Sequence, residues 1–106
     1  MCIRDSYVLD TVRRTNGSVE HVSDEEVVDA IRLLARTEGI FAETAGGVTI
    51  AVLKKLLATG QLDPDAETVV FNTGDGLKTL DAIAGVVGPT ATIAPTLAAF
   101  EAAGLA

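Results

Sequence analysis

Val69-Val70-Phe71-Asn72-Thr73-Gly74-Asp75-Gly76-Leu77-Lys78 is the stretch on which the reading of the fold turns. An apolar run gives way to two polar residues, and two glycines then flank an aspartate. A continuous apolar centre is the pattern of a strand covered on both faces. Glu67 to Asn72 is therefore expected to be a strand of a parallel sheet. In open parallel sheets ligands gather at the carboxyl ends of strands, which is where Asn72 and Thr73 fall. Gly74 and Gly76 permit positive φ and close approach. A helix after them would offer free amides to an anion. The stretch matches neither the phosphate-loop pattern GxxxxGKS/T nor the dinucleotide pattern GxGxxG. Two readings stand side by side here: a tight turn and nothing more, or a ligand site at a strand's end.

Working outward, the clearest element lies upstream. Ser23 precedes Glu26 by three residues, the spacing of a capping box. Asp24, Glu25 and Glu26 suit the positive end of a helix dipole. Val27, Val28, Ile31, Leu34 and Ala35 then recur at helical spacing, and Gly39 is placed to end the helix. A second helix is expected over Ala45–Thr59, stopped by Gly60. Its first half, Ala45 to Leu53, carries no charge on any side, so it requires neighbours all round. The Gly46-Gly47 pair costs about 1 kcal/mol per glycine in a helix, a cost that makes sense where something approaches the backbone closely. A short helix over Tyr7–Arg14, a possible strand over Ser18–Val22 and a turn at Asp63-Pro64-Asp65 complete the upstream part. Downstream, Leu77–Ala84 is expected to be helical and Thr90–Ala94 extended, with Pro95 opening a last helix to Ala103. One firm strand and two doubtful ones cannot make a sheet covered on both faces. The inventory describes part of a larger α/β domain.

Composition narrows the function. The chain has 106 residues, 48% of them hydrophobic and 4% aromatic, enough for one small domain whose core is built from Ala, Val, Leu and Ile. A net charge of −7 leaves no basic face for nucleic acid and no cationic cluster for an anionic membrane. No apolar run approaches the roughly 20 residues of a spanning helix. One cysteine, Cys2, permits neither an internal disulfide nor a thiolate metal cluster. These features point to a cytoplasmic location.

Individual side chains are weighed next. Glu43 sits between Ile40-Phe41-Ala42 and a helix start. It either pairs with the free amides there or lines the same pocket as Thr73. His21, among Glu20, Ser23 and Asp24, reads as a surface residue, and no His-plus-acid triad can be built around it. Lys54 and Lys55 read as solvated charges, as does Lys78 after the glycine loop.

Three blocks carry a resemblance: DAIRLLARTEGIFAETAGG (Asp29–Gly47), ETVVFNTGDGLKTLD (Glu67–Asp81) and VGPTATIAP (Val87–Pro95). In this order and spacing they resemble the bacterial-type threonine synthases, over essentially Tyr7 to Ala106. The resemblance implies the C-terminal part of a type II, tryptophan synthase β-like fold that uses pyridoxal phosphate, with helices packed on an incomplete parallel sheet. It implies a parent enzyme converting O-phospho-L-homoserine and water into L-threonine and phosphate. It further implies that Thr73 meets the pyridine nitrogen of the cofactor, and that Asn72, Gly74 and Glu43 lie around the ring. Thr44 stands where many members have proline, which bears on how the chain turns into the following helix. The lysine that links the cofactor, the asparagine at its ring hydroxyl and the phosphate loop are expected upstream. The partners implied are the remaining N-terminal part of the same enzyme, a small-molecule substrate and a second copy in a homodimer. The fragment alone is expected to be inactive. Two alternatives stand beside this: another type II lyase such as a threonine dehydratase, against which GLKTLD and VGPTATIAP argue, and a free-standing small-ligand binding module.

Met1-Cys2-Ile3-Arg4-Asp5-Ser6 is treated separately. MCIRDS matches the translation of a transposon-end adapter used in preparing sequencing libraries, so residues 1–6 are expected to be an artefact and 7–106 the protein proper; the alternative is a natural start. Arg4 and Asp5 cancel, so excluding the segment leaves the net charge unchanged.

Overall fold

Ser23 and Glu26 form both bonds of the expected capping box. The Ser23 Oγ accepts from the Glu26 amide at 3.3 Å, and the Glu26 carboxylate accepts from the Ser23 amide at 2.7 Å. The neighbouring Glu25 carboxyl is held below its ordinary range by its own backbone amide and by Ser23. In this computed structural model, which describes residues 3–104, the helix so begun runs Asp24–Glu38 and ends on Gly39 at φ +69°. It is the second of four α-helices: α1 (Ile3–Arg14), α2 (Asp24–Glu38), α3 (Thr44–Ala58) and α4 (Leu97–Ala102). A 3-10 helix, Gly76–Ile83, lies between α3 and α4.

The core is the seam between α2 and α3. Val27, Ala30, Ile31 and Leu34 of α2 are buried, as are Gly46, Gly47 and Ala51 of α3. Gly47 explains how closely the helices approach. A Cβ there would lie 2.8 Å from Ile31 Cγ1 and 2.9 Å from Val27, well inside ordinary van der Waals contact. Ile83 closes the lower end of the seam against Val27 and Ile31, with Val22 and Phe41 packed alongside. The expected cost of the glycine pair is thus offset by helix–helix contact. The all-round packing expected for α3 is met on that side only, since Val48 and Leu57 remain exposed.

Several expectations need correction. α1 begins at Ile3 rather than Tyr7 and so runs through part of the adapter-like segment; Met1 and Cys2 of that segment lie outside the described residues. Ser18–Val22 is irregular and held by side chains. The Lys55 ammonium donates to the Glu20 carboxylate and to the His21 carbonyl, and this hydrogen bond and charge hold the Glu20 carboxyl below its ordinary range. Lys55 is therefore not the solvated charge its position suggested. α4 starts at Leu97 with Thr96 as its cap, two residues beyond Pro95, and Thr90–Ala94 is irregular.

The largest correction concerns the opening stretch. Among the described residues no strand forms, and Glu67–Asn72 has no ladder partner. Val69 is 77% exposed and Phe71 75%. A helix closes its hydrogen bonds within itself, whereas a strand needs a neighbour to take its amides and carbonyls. The expected parallel sheet is therefore absent here because no neighbouring strand is present.

The molecule is correspondingly open. Its radius of gyration is 19.1 Å and its extents are 63 × 36 × 20 Å, against about 13 Å for a compact chain of this length. It exposes 8235 Å², where a monomer of its mass exposes about 5,600 Å². Leu77, Leu80, Val86, Val87, Leu97 and Phe100 contribute to the surplus. Among the described residues no helix is long and apolar enough to cross a membrane.

Candidate functional site

Two of the three resemblance blocks meet in space. Ala42 and Asp75 form an isolated antiparallel bridge. The Glu43 amide donates to the Gly74 carbonyl at 3.1 Å, and the Gly76 amide donates to the Phe41 carbonyl at 2.9 Å. Phe41–Glu43 is thereby clamped against Gly74–Gly76. Sequence reasoning put all these residues near one pocket but did not foresee that the two segments pair directly. The signal was weak, because three residues on each side are too few for an alternating pattern.

The glycines make the clamp possible. A Cβ on Gly76 would collide with the Phe41 ring at 2.5 Å. A Cβ on Gly74 would fall within the Glu43 side chain, whose carboxylate lies directly over it. On the other side, the Asn72 carboxamide and the Ala42 methyl occupy the space that a side chain on Gly46 would need. Asn72 thus touches the first turn of α3, and Glu43 touches Gly74.

Glu43 precedes α3 in the N-cap position yet makes no capping bond with its side chain. Pairing with the helix amides, one of the two uses foreseen for it, is therefore not its role in this conformation. Its side chain is 17% exposed, and one carboxylate oxygen lies 3.6 Å from Lys78 Nζ. Lys78 is 62% exposed, as its place after the glycine loop suggested. The amide that Glu43 leaves uncapped, that of Thr44, donates instead to the Thr79 hydroxyl at 3.1 Å. Thr79 was not singled out from the sequence, since nothing local marks a threonine as the cap of a helix 35 residues away. Asp75 caps its own helix, its carboxylate accepting from the Leu77 amide at 2.8 Å.

Thr73 lies on the rim of an open concavity lined by Gly39, Ile40, Phe41, Asn72, Gly74 and Asp75. Its side chain is exposed. The other candidates lie on either side: Asn72 and Gly74 within the same rim, Glu43 beneath it. His21 is exposed and well removed in sequence from this wall. What the arrangement offers chemically is a neutral hydroxyl, a carboxamide and a carboxylate–ammonium pair on one short stretch of wall, with an aromatic ring at its base.

Comparison with known proteins agrees with this grouping. The family described as pyridoxal-phosphate dependent enzyme matches residues 3–74. The threonine synthase of Methanocaldococcus jannaschii is 51% identical over 74 residues, covering 70% of this chain and 18% of that protein. The threonine synthase of Halalkalibacterium halodurans is 40% identical over 73 residues (69% of this chain, 21% of that protein), and that of Bacillus sp. (strain ULM1) is 38% identical over 76 residues (72% and 22%). The chain spans about one fifth of the length of these curated relatives. The family match stops at Gly74, a narrower span than the three blocks, with most of the GLKTLD and all of the VGPTATIAP segment beyond it. It nonetheless covers well over half of the sequence, and by it this chain belongs to the pyridoxal-phosphate dependent enzyme family.

Proposed function

We propose that this chain forms one wall of the cofactor pocket in an enzyme of the threonine synthase type, whose complete form converts O-phospho-L-homoserine and water into L-threonine and phosphate. The observation that carries the reading is the clamp of Phe41–Glu43 on Gly74–Gly76. Two segments far apart in sequence, both read as cofactor-facing by resemblance, lie against each other around Thr73. The curated relatives' names support the same activity.

The residues present fit a pyridine ring. The Thr73 hydroxyl is exposed on the concavity's rim and makes no hydrogen bond to the protein among the described residues, so it is available to a ring nitrogen. Pyridoxal phosphate, when bound, supplies an electron sink for charge developing at the substrate carbon. Thr73 tunes that sink by being neutral: it offers a hydrogen bond without the charge with which a carboxylate would hold the ring nitrogen protonated. Asn72 and Gly74 shape the wall, and Glu43 sets its charge with Lys78. Lys55 is engaged by Glu20 and His21, and Lys78 by Glu43. The lysine that links the cofactor belongs, on this reading, to the remaining part of the enzyme.

The same reading accounts for the open architecture. In the complete protein Glu67–Asn72 is a strand of the parallel sheet, and the exposed flank at Val69, Phe71 and Leu77 is covered by the N-terminal part of the same enzyme. The complete enzyme is cytoplasmic and, like its relatives, a homodimer. Residues 1–6 are not part of it.

Joining this chain to its upstream reading frame tests the proposal. The complete protein should bind pyridoxal phosphate and release phosphate from O-phospho-L-homoserine. Thr73→Ala should lower kcat/KM by at least about tenfold, and Thr73→Asp should alter the balance of products. A complete protein that binds the cofactor but leaves the substrate untouched, or a Thr73→Asp variant with an unchanged product profile, contradicts it.

A further inference from the structure

Glu43 occupies the position from which a side chain ordinarily caps a helix, and it does not cap α3. The bond is supplied across the fold by Thr79, whose hydroxyl accepts from the Thr44 amide at 3.1 Å. Thr79 is where the 3-10 helix leaves helical geometry, with φ −135° and ψ 48°, and both it and Thr44 are half-buried. Glu43, relieved of the amide, lies over Gly74 with Lys78 beside it.

We infer that Thr79 is a positioning residue for the candidate site: by capping α3 in place of Glu43, its hydroxyl frees the Glu43 carboxylate to line the wall next to Thr73. The inference rests on the functional reading above and adds to it the device that holds the wall's acid in place. The physical argument is a competition for one donor. An uncapped first-turn amide attracts the nearest acceptor, and a carboxylate is favoured there by both the charge-assisted bond and the helix dipole. Without the Thr79 oxygen, that acceptor is the adjacent Glu43 carboxylate. It would swing from Gly74 to the helix, leaving Lys78 unpaired and the wall beside Thr73 without its acid.

The test is a cycle of variants in the complete enzyme, read first by the dissociation constant of pyridoxal phosphate. Thr79→Val removes the hydroxyl at constant shape and should weaken cofactor binding by about fivefold, the factor expected for one cap's worth of competition. Thr79→Ser keeps the oxygen and should stay within about twofold of the parent. In a Glu43→Gln background, Thr79→Val should add less than about twofold, because the carboxylate it displaces is already gone. Hydrogen exchange of the Thr44 amide in the cofactor-free enzyme gives a second reading, with Thr79→Ala used if the valine variant fails to fold. The amide should stay protected when the hydroxyl alone is removed, since Glu43 takes over the cap. It should exchange about tenfold faster when Glu43 is changed to Gln as well. Equal effects of Thr79→Val in both backgrounds, failure of Thr79→Ser to restore binding, or loss of Thr44 protection in the single variant would overturn the inference. A complete parent enzyme that does not bind the cofactor sinks the functional reading and this inference together. A parent that binds, with Thr79→Val binding equally well, sinks this inference alone.

Discussion

The α2–α3 seam and the stretch from Glu67 to Phe71 have similar apolar content and opposite fates. Ile31 is 3% exposed, whereas Phe71 is 75% exposed. The seam is made by two helices that satisfy their own backbones and need only each other's side chains. The stretch is apolar on both sides and needs flanking strands, which the described residues do not supply. Hydrophobicity therefore states a demand for burial, and local geometry decides whether a short chain can meet that demand alone.

Substitutions at matched apolar positions sharpen this contrast most. Ile31→Ala should cost about 2–5 kcal/mol by leaving a cavity in the seam. Phe71→Ala should change the stability of this chain by less than about 0.5 kcal/mol. In the complete enzyme the two costs should become comparable. Urea unfolding reads both, and an equal cost at the two positions in this chain would break the comparison.

Gly47→Ala is the next largest effect. Ala gains about 1 kcal/mol of helix propensity, but its methyl meets Ile31, Val27 Cγ1 and the Val27 carbonyl at 2.8–2.9 Å. Overpacking of this kind typically costs about 1–3 kcal/mol, and the carbonyl cannot turn aside as a side chain can. A lowered melting temperature is expected, and a raised one would mean that the seam is looser than described.

The smallest effect concerns pH. The Glu20 carboxyl is held below its ordinary value by its hydrogen bond to Lys55. The unfolded chain thus takes up this proton more readily than the folded one. The stabilisation is whole above the ordinary value of 4.5 and fades as pH falls through the lower folded value. Glu20→Gln should flatten the dependence of melting temperature on pH in that acidic range and leave its slope near neutrality unchanged. An unaltered acid slope would mean that the Ser18–Val22 connection is not held to α3 by this pair.

What could be read from the sequence follows the same division. The capping box at Ser23 and Glu26, the stop at Gly39 and the extent of α3 were legible because each is fixed within a few residues. The close approach at Gly46 and Gly47 was legible as a cost in need of a reason. The strand at Glu67–Asn72 was read from its pattern, but the pattern reports what the stretch requires and not what is at hand. At the candidate site, Asn72, Thr73, Gly74 and Glu43 were each marked by residue type and place. Their arrangement was not legible, because the Phe41–Glu43 clamp and the Thr79 cap join segments more than 30 residues apart. Lys55 looked solvated for the same reason, its partner Glu20 lying 35 positions upstream.

Hydrogen exchange at the amides of Val69, Val70 and Phe71 tests the central claim most directly, measured in this chain alone and in the complete enzyme. The account predicts exchange near the unprotected rate in the isolated chain and protection of at least about 100-fold once the remaining segments pair with the stretch. Slow exchange in the isolated chain, or none gained in the complete enzyme, would contradict it.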